Sequence, residues 1–350
     1  MLRSRDEAME GPGACRKARL DCGISGVCDG RKRDMWIDLG NIALGMVLLL
    51  LGNDSFAHGV AGWAARCCKD ALAIAWGSSV AAALVPGAAL IIAGHCMQQP
   101  ELAIGALIGA SIANLGVTLA LAALVAPLLA RLKSLALLNV ALLGAVVLVW
   151  LLGVDGLYAR MDGGILLAAF VLVAILFLAS VRRERAASRP LFERSMREFG
   201  TGMLLVRLLL GALLLGLGSW RLVLGGSALA THLAWNPLIV GLLVLGLALA
   251  LAGLPNALAS ARRGHGEFAL GQALYASMAS LLFLLGAVLL WQPLASVPSL
   301  MRFELPALFA LAAATYPMMR SDGALSGREG GILLAAWLLF VVAELWLTFA

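Results

Sequence analysis

Apolar residues in this chain come in long unbroken runs, separated by short clusters of Gly, Pro, Arg and Asp. About 20 such residues, wound as a helix, cross the roughly 30 Å of a bilayer's hydrocarbon. The predicted crossings of the first half are Trp36–Gly52, a run from Phe56 to about Gly94, Glu101–Leu128, Leu135–Leu152 and Gly163–Val181. Those of the second are Thr201–Gly218, Trp220–Ser260, Glu267–Leu290, Phe303–Met319 and Gly330–Phe349. The run from Phe56 is too long for one crossing, and Arg66, Lys69 and Asp70 interrupt it. A short amphipathic piece followed by a helix broken near Pro86-Gly87 is expected there. The alternation of a transmembrane β-barrel is missing. The expected fold class is therefore an all-α membrane protein with about ten transmembrane helices.

The two halves repeat each other. Gly59 meets Gly225, Glu101 meets Glu267, Gly105 meets Gly271, Ser111 meets Ser277 and Pro127 meets Pro293, all at a separation of 166 without a gap. Alanine and leucine matches mean little in a chain rich in both. Matches of Gly, Glu, Ser and Pro at one separation mark an internal duplication. Five crossings per unit is an odd number, so the second unit enters the membrane from the opposite side and the repeats are inverted. The domains expected are a polar segment 1–34, a first repeat 35–181, an arginine-rich linker 182–200 and a second repeat 201–350.

Composition closes off the alternatives. With 62% hydrophobic and 13% charged residues, the chain lacks the polar surface of a soluble globule. The net charge of +6 is accounted for by basic loops at an inner membrane face, so no nucleic-acid partner is expected. If the linker with Arg182, Arg183, Arg185, Arg189, Arg194 and Arg197 is cytoplasmic, so are Arg131, Lys133, Arg262, Arg263, Arg320 and Arg328, while Arg160, Arg221 and Arg302 face outward. Twelve against three predicts an inner-membrane protein with a cytoplasmic linker and both chain ends outside. Residues 1–34 carry no apolar run and do not read as a signal peptide. A polar tail or a translation start at Met35 is the expectation. Cys15, Cys22 and Cys28 lack paired CxxC spacing, and His58, His95, His232 and His265 are scattered, so no resident metal is expected. Cys67, Cys68 and Cys96 read as apolar filler or free thiols.

The motifs resemble those of the cation/calcium exchanger superfamily, which includes sodium/calcium exchangers. Leu48–Asp54 resembles the LLLLGAD of its first helix, and Glu101–Asn114 resembles its DLALGNxxGSNIFN motif. Asn236–Leu242 resembles the SPLVIGL leading into the second motif, and Glu267–Gln272 again resembles DLALGN. The resemblance covers the chain from residue 36 onward. It implies ten helices in two inverted halves, alternating access at a midplane site and a transported cation, Na+, H+ or Ca2+, in place of a resident cofactor. It also implies one glutamate per repeat, and counting from Glu101 and Glu267 those positions are Gly87 and Gly253. Aligning Gly77-Ser78-Ser79 on the family's GTS instead puts Ala82 where the acid belongs. The chain departs from the family at both carboxylates, and calcium favours six to eight oxygens, carboxylates among them.

What remains for a cation or neutral solute is neutral and polar: Ser111, Asn114 and Thr118 on one stripe, and Gln272, Ser277 and Ser280 on its repeat. Ser78, Ser79, Asn256 and Tyr275 are further oxygen donors, and Gly87 and Gly253 mark the vacated positions. Small and hydroxylated residues also serve membrane helices for close packing, and each serine has that alternative reading. Glu101 and Glu267 open their helices, where acids favour the dipole. For Glu344, deep in the last run, snorkelling to the interface is expected, with proton carriage as the alternative. No Walker loop or nucleophile elbow appears, so an enzyme is not expected. Three readings stand at this point: a secondary transporter embedded in the lipid bilayer, a transport-incompetent relative acting as scaffold or partner subunit, and, least supported, an intramembrane enzyme. No oligomeric state is assigned.

Overall fold

The computed structural model describes residues 12–67, 71–129, 133–184, 201–295, 299–321 and 323–349, with the side chains of 12–34, 64–67 and 71–83, among others, outside that description. Ten helices are described: α1 (Pro12–Cys67), α2 (Ala71–Cys96), α3 (Pro100–Val125), α4 (Lys133–Gly153), α5 (Arg160–Glu184), α6 (Thr201–Leu233), α7 (Pro237–Arg262), α8 (Gly266–Trp291), α9 (residues 300–321) and α10 (Gly327–Phe349). Among the described residues, α1, α3 to α8 and α10 each hold a stretch long and apolar enough to cross a membrane by itself. Helices are what this composition demands, because hydrocarbon offers no partner for an unpaired backbone N–H or C=O. Leu339, Trp346, Leu209 and Ile175 stand well exposed on α10, α6 and α5, as lipid-facing side chains do.

The duplication recurs in the backbone. The turn after α2 places Gln98 at φ 57°, and the turn after α7 places Gly264 at φ 79°, residues 166 apart. Both turns close alike, Gln99 N–H donating to Gly94 O at 2.8 Å and His265 N–H to Ser260 O at 2.9 Å. A π-helical turn interrupts α3 at Asn114–Thr118, and another interrupts α8 at Ser280–Leu284, again 166 apart. Four two-residue strands tie the halves: β1 (Leu128–Leu129), β2 (Leu157–Tyr158), β3 (Leu294–Ala295) and β4 (Ala324–Leu325). β1 pairs antiparallel with β4, and β2 with β3. The connections after α3 and α9 therefore share one end of the bundle, and those after α4 and α8 share another. His95, ending α2, lies 4.3 Å from the Trp291 ring, ending α8. Such pairings between the two units are those of inverted halves.

α3 and α8 form the centre: buried residues make up 83% and 78% of their apolar stretches, against 17% in the stretch within Met35–Val60 of α1. α3 crosses α7 with almost no space between backbones. A Cβ on Gly105 would lie 2.2 Å from Leu238 O, and one on Gly109 2.0 Å from Leu242 O. α1 and α6 run antiparallel along a seam of glycines spaced seven apart, Gly45, Gly52 and Gly59 against Gly211, Gly218 and Gly225. Small residues are what let membrane helices approach this closely.

Several boundaries differ from expectation, and these glycines explain two of them. The first run was expected to end at Gly52 and the sixth at Gly218, but α1 continues to Cys67 and α6 to Leu233. Both glycines are packing notches within a helix: a Cβ on Gly52 would meet Leu215 N at 2.9 Å, and one on Gly218 would meet Gly45 O at 2.9 Å. The apolar stretch after Phe56 therefore divides between α1 and α2, and Pro86 lies inside a continuous α2. Arg221, expected in an outward loop, sits on α6 and donates to Asn41 Oδ1 at 3.1 Å. The backbone of residues 12–34 is helical and continuous with α1.

Candidate functional site

The four central helices α2, α3, α7 and α8 enclose a cavity of about 30 Å³. That is room for a single water or a largely dehydrated ion. It is lined by Pro86, Gly87, Ala110, Asn114, Thr118, Leu249, Gly253, Gln272, Ala273, Ala276 and Ser280. Asn114 and Ser280 open the two π turns. A π turn rotates the side chains after it off the α-helical stripe, a device often found at functional sites. None of the lining side chains is ionisable.

Of the sequence-derived candidates, Gly87, Asn114, Gly253, Gln272 and Ser280 meet around this one cavity. Gln272 Nε2 donates to Gly253 O at 3.3 Å, and Thr118 Oγ1 donates to Ala250 O at 3.2 Å, which leaves the Gln272 carbonyl and the hydroxyl lone pairs free to accept. Asn114 is buried, and its amide makes no hydrogen bond with other described residues. A buried amide beside a polar cavity calls for a ligand or water.

Ser111 and Ser277 do not line the cavity. They form a reciprocal clasp: Ser111 Oγ reaches Ser277 O at 3.3 Å, and Ser277 Oγ reaches Ser111 O at 3.1 Å. Each also donates to its own helix, to Leu107 O at 2.9 Å and Ala273 O at 3.0 Å. Asn256 is not among the lining residues. Tyr275, also expected as an oxygen donor, packs its ring 6.3 Å from Phe170 and 6.5 Å from Phe177 on α5 and is not among the lining residues. The side chains of Ser78 and Ser79 lie outside the described residues.

A supporting pair was missed in the sequence. Asn53 Nδ2 donates to Ala252 O at 2.8 Å, and Ser219 Oγ donates to Pro86 O at 3.4 Å. Asn53 and Ser219 are 166 apart, as are Pro86 and Ala252, so one contact is made twice. Each anchors a carbonyl next to Gly87 or Gly253. The signal was available, namely two polar residues in apolar runs at the repeat separation. Glu344 is only 4% exposed and does not snorkel.

The chain belongs to the Sodium/calcium exchanger protein family, whose pattern it matches over residues 38–179 and 203–346, one stretch in each repeat. Among its relatives, it is 28% identical over 221 residues to the inner membrane protein YrbG of Escherichia coli (strain K12), covering 60% of this chain and 66% of that protein. It is also 28% identical over 134 residues to a candidate antiporter, CaxA, of Alkalimonas amylolytica, covering 38% of this chain and 42% of that one. The chain thus spans under two thirds of each of these relatives. Structures of the sodium-calcium exchanger NCX_Mj share the fold. One, soaked with Na+ and Sr2+, covers 88% of this chain and 98% of its own at 22% identity and TM-score 0.61. Another, soaked with Na+ and Ca2+, gives 21% identity and TM-score 0.63 over 87% of this chain.

Proposed function

We propose that the protein is a secondary cation antiporter whose central cavity takes a monovalent cation in preference to calcium. One observation carries the reading. The cavity lies where the exchanger family concentrates its charge, yet glycines replace both carboxylates and only amides, hydroxyls and backbone carbonyls line it. A divalent ion there would lack compensating charge in a low-dielectric interior, which is prohibitive. Sodium or a similar monovalent ion asks for fewer oxygens and less charge. Asn114, Gln272, Thr118 and Ser280 supply side-chain oxygens from both repeats, so a cation held between them would feel any relative movement of the halves. The excess of positive residues on the linker side supports an inner-membrane location with the linker cytoplasmic.

The test is gradient-driven flux of Na+, K+ and Ca2+ into liposomes carrying the purified protein. Monovalent flux that falls at least tenfold with Asn114→Ala plus Gln272→Ala, two residues that line the cavity, supports the reading. Calcium flux equal to or above sodium flux overturns its choice of ion. Flux of none favours the second reading, a transport-incompetent scaffold. That alternative has its own support in the Leu284 side chain, which fills the space beside Gly87.

A further inference from the structure

Among the described residues two acidic side chains are buried, Glu304 on α9 at 0% exposure and Glu344 on α10 at 4%. Neither lines the central cavity. Glu344 lies within electrostatic reach of Glu304, and the rings of Phe303 and Phe340 stack 5.5 Å apart across the same two helices. Both carboxylate oxygens of Glu304 are fully buried and reach no hydrogen-bond partner; Ser299 is near but does not close a bond. Glu304 ends a π-helical turn, Leu300–Glu304, that has no counterpart in the first repeat, where the same stretch lies in an ordinary helix. Leu138 stands 166 residues before Glu304, and Phe177 stands 167 before Glu344 in the last helix, where Gly163 meets Gly330, so the pair belongs to one repeat only.

Among the described residues no cation offsets them. α9 packs against α3, α4 and α10, and α10 against α3 and α9. The ionisable residues on those elements are Glu101 at the start of α3, Lys133 at the start of α4, Arg302, Tyr316 and Arg320 on α9, and Arg328 and Glu329 at the start of α10. Lys133, Arg320, Arg328 and Glu329 lie at the other end of the bundle from Glu304, the end of the β1–β4 pair. Arg302 is exposed and, two residues from Glu304, points to the opposite side of α9. Two ionised carboxylates, both desolvated, near enough to repel and with no counter-charge among the described residues, cannot both persist in such a place. The least costly remedy is a proton on one of the two carboxyls.

We propose that Glu304 and Glu344 form a proton-binding site, a carboxyl–carboxylate pair between α9 and α10 that is separate from the central cavity. The pair takes up one proton and carries one negative charge when loaded. Whether that proton is exchanged during transport rests on the antiporter reading; its presence does not. The experiment is infrared difference spectroscopy of the full chain in liposomes, titrated from acid to alkaline pH in H2O and D2O. The expected result is a protonated-carboxyl C=O stretch that persists at neutral pH, shifts in D2O and disappears at alkaline pH. It should be absent from Glu304→Gln plus Glu344→Gln. Glu344→Gln alone removes the neighbouring charge and should keep the Glu304 carboxyl band, lowering the pH at which it titrates. The proposal is overturned if the unmodified protein shows no protonated carboxyl at neutral pH, a result that needs no variant to fold. It is equally overturned if the band survives in the double variant. A protein that shows the band but moves no ion would count against the transport reading alone.

Discussion

The two sides of the central cavity were built from one repeated sequence and have drifted apart. On the Gly253 side, a Cβ would meet only the tip of Gln272, Nε2 at 3.1 Å, and Thr118 brings a hydroxyl nearby. On the Gly87 side, the same added atom would lie 2.3 Å from Leu284 Cδ1. Thr118 and Leu284 are repeat-mates, 166 apart, so one position has become polar in one half and apolar in the other. Gln272 and Ala106 differ in the same direction. A cation entering here meets side-chain oxygens from α3 and α8, and the hydrocarbon of Leu284 at Gly87. The lost carboxylates have thus been replaced in two ways, by an amide on one wall and by a methyl on the other.

The largest effect that would test this contrast is on folding. Gly87→Glu must displace Leu284 and bury a carboxylate, costing about 3 kcal/mol, whereas Gly253→Glu needs only Gln272 to swing aside and costs about 1 kcal/mol. Melting temperatures in detergent should rank the two, and equal losses would remove the distinction between the walls. In the double variant calcium should raise the melting temperature by binding the restored acids. Next, Gln272→Leu should lower monovalent flux about tenfold, some 1.4 kcal/mol, while Leu249→Ala on the same lining changes it little. If both variants transport normally, the amide is not a ligand. Smallest, Ser111→Ala should cost about 1 kcal/mol of stability and leave ion selectivity unchanged, because its hydroxyl joins the clasp and not the cavity. A selectivity change in that variant would place Ser111 in the site.

The sequence told much of this in advance, and unevenly. The spacing of 166 predicted the two halves and their opposite senses, and it reappears in turns, π turns and strand pairs. Helix ends were read less well, since Gly52 and Gly218 have the same composition whether they stop a helix or let another approach it; only the partner helix decides. The stripes of Ser111, Asn114, Gln272, Ser277 and Ser280 were legible, but not their division into ligand and clasp. A π turn begins at Asn114 and rotates the residues beyond it, and helical spacing carries no trace of that rotation. Glu304 was illegible for a different reason. Near the start of an apolar run an acid reads as interfacial, and only the packing of α10 across it takes it out of water. Asn53 and Ser219 are the opposite case, visible through the repeat and overlooked because Leu48–Asp54 was read only as a motif.

The serine clasp has one further consequence. A contact between a residue and its own repeat-mate lies on the pseudo-twofold axis relating the halves, and Ser111 with Ser277 is such a contact. A chain of half this length, inserted into the membrane in both orientations, could pair with its mirror-facing copy through that same clasp. The seams of α1 with α6 and the two strand ties would form with it. The contact that an antiparallel pair of half-chains would make across its twofold axis is thus present here in one pair of hydroxyls.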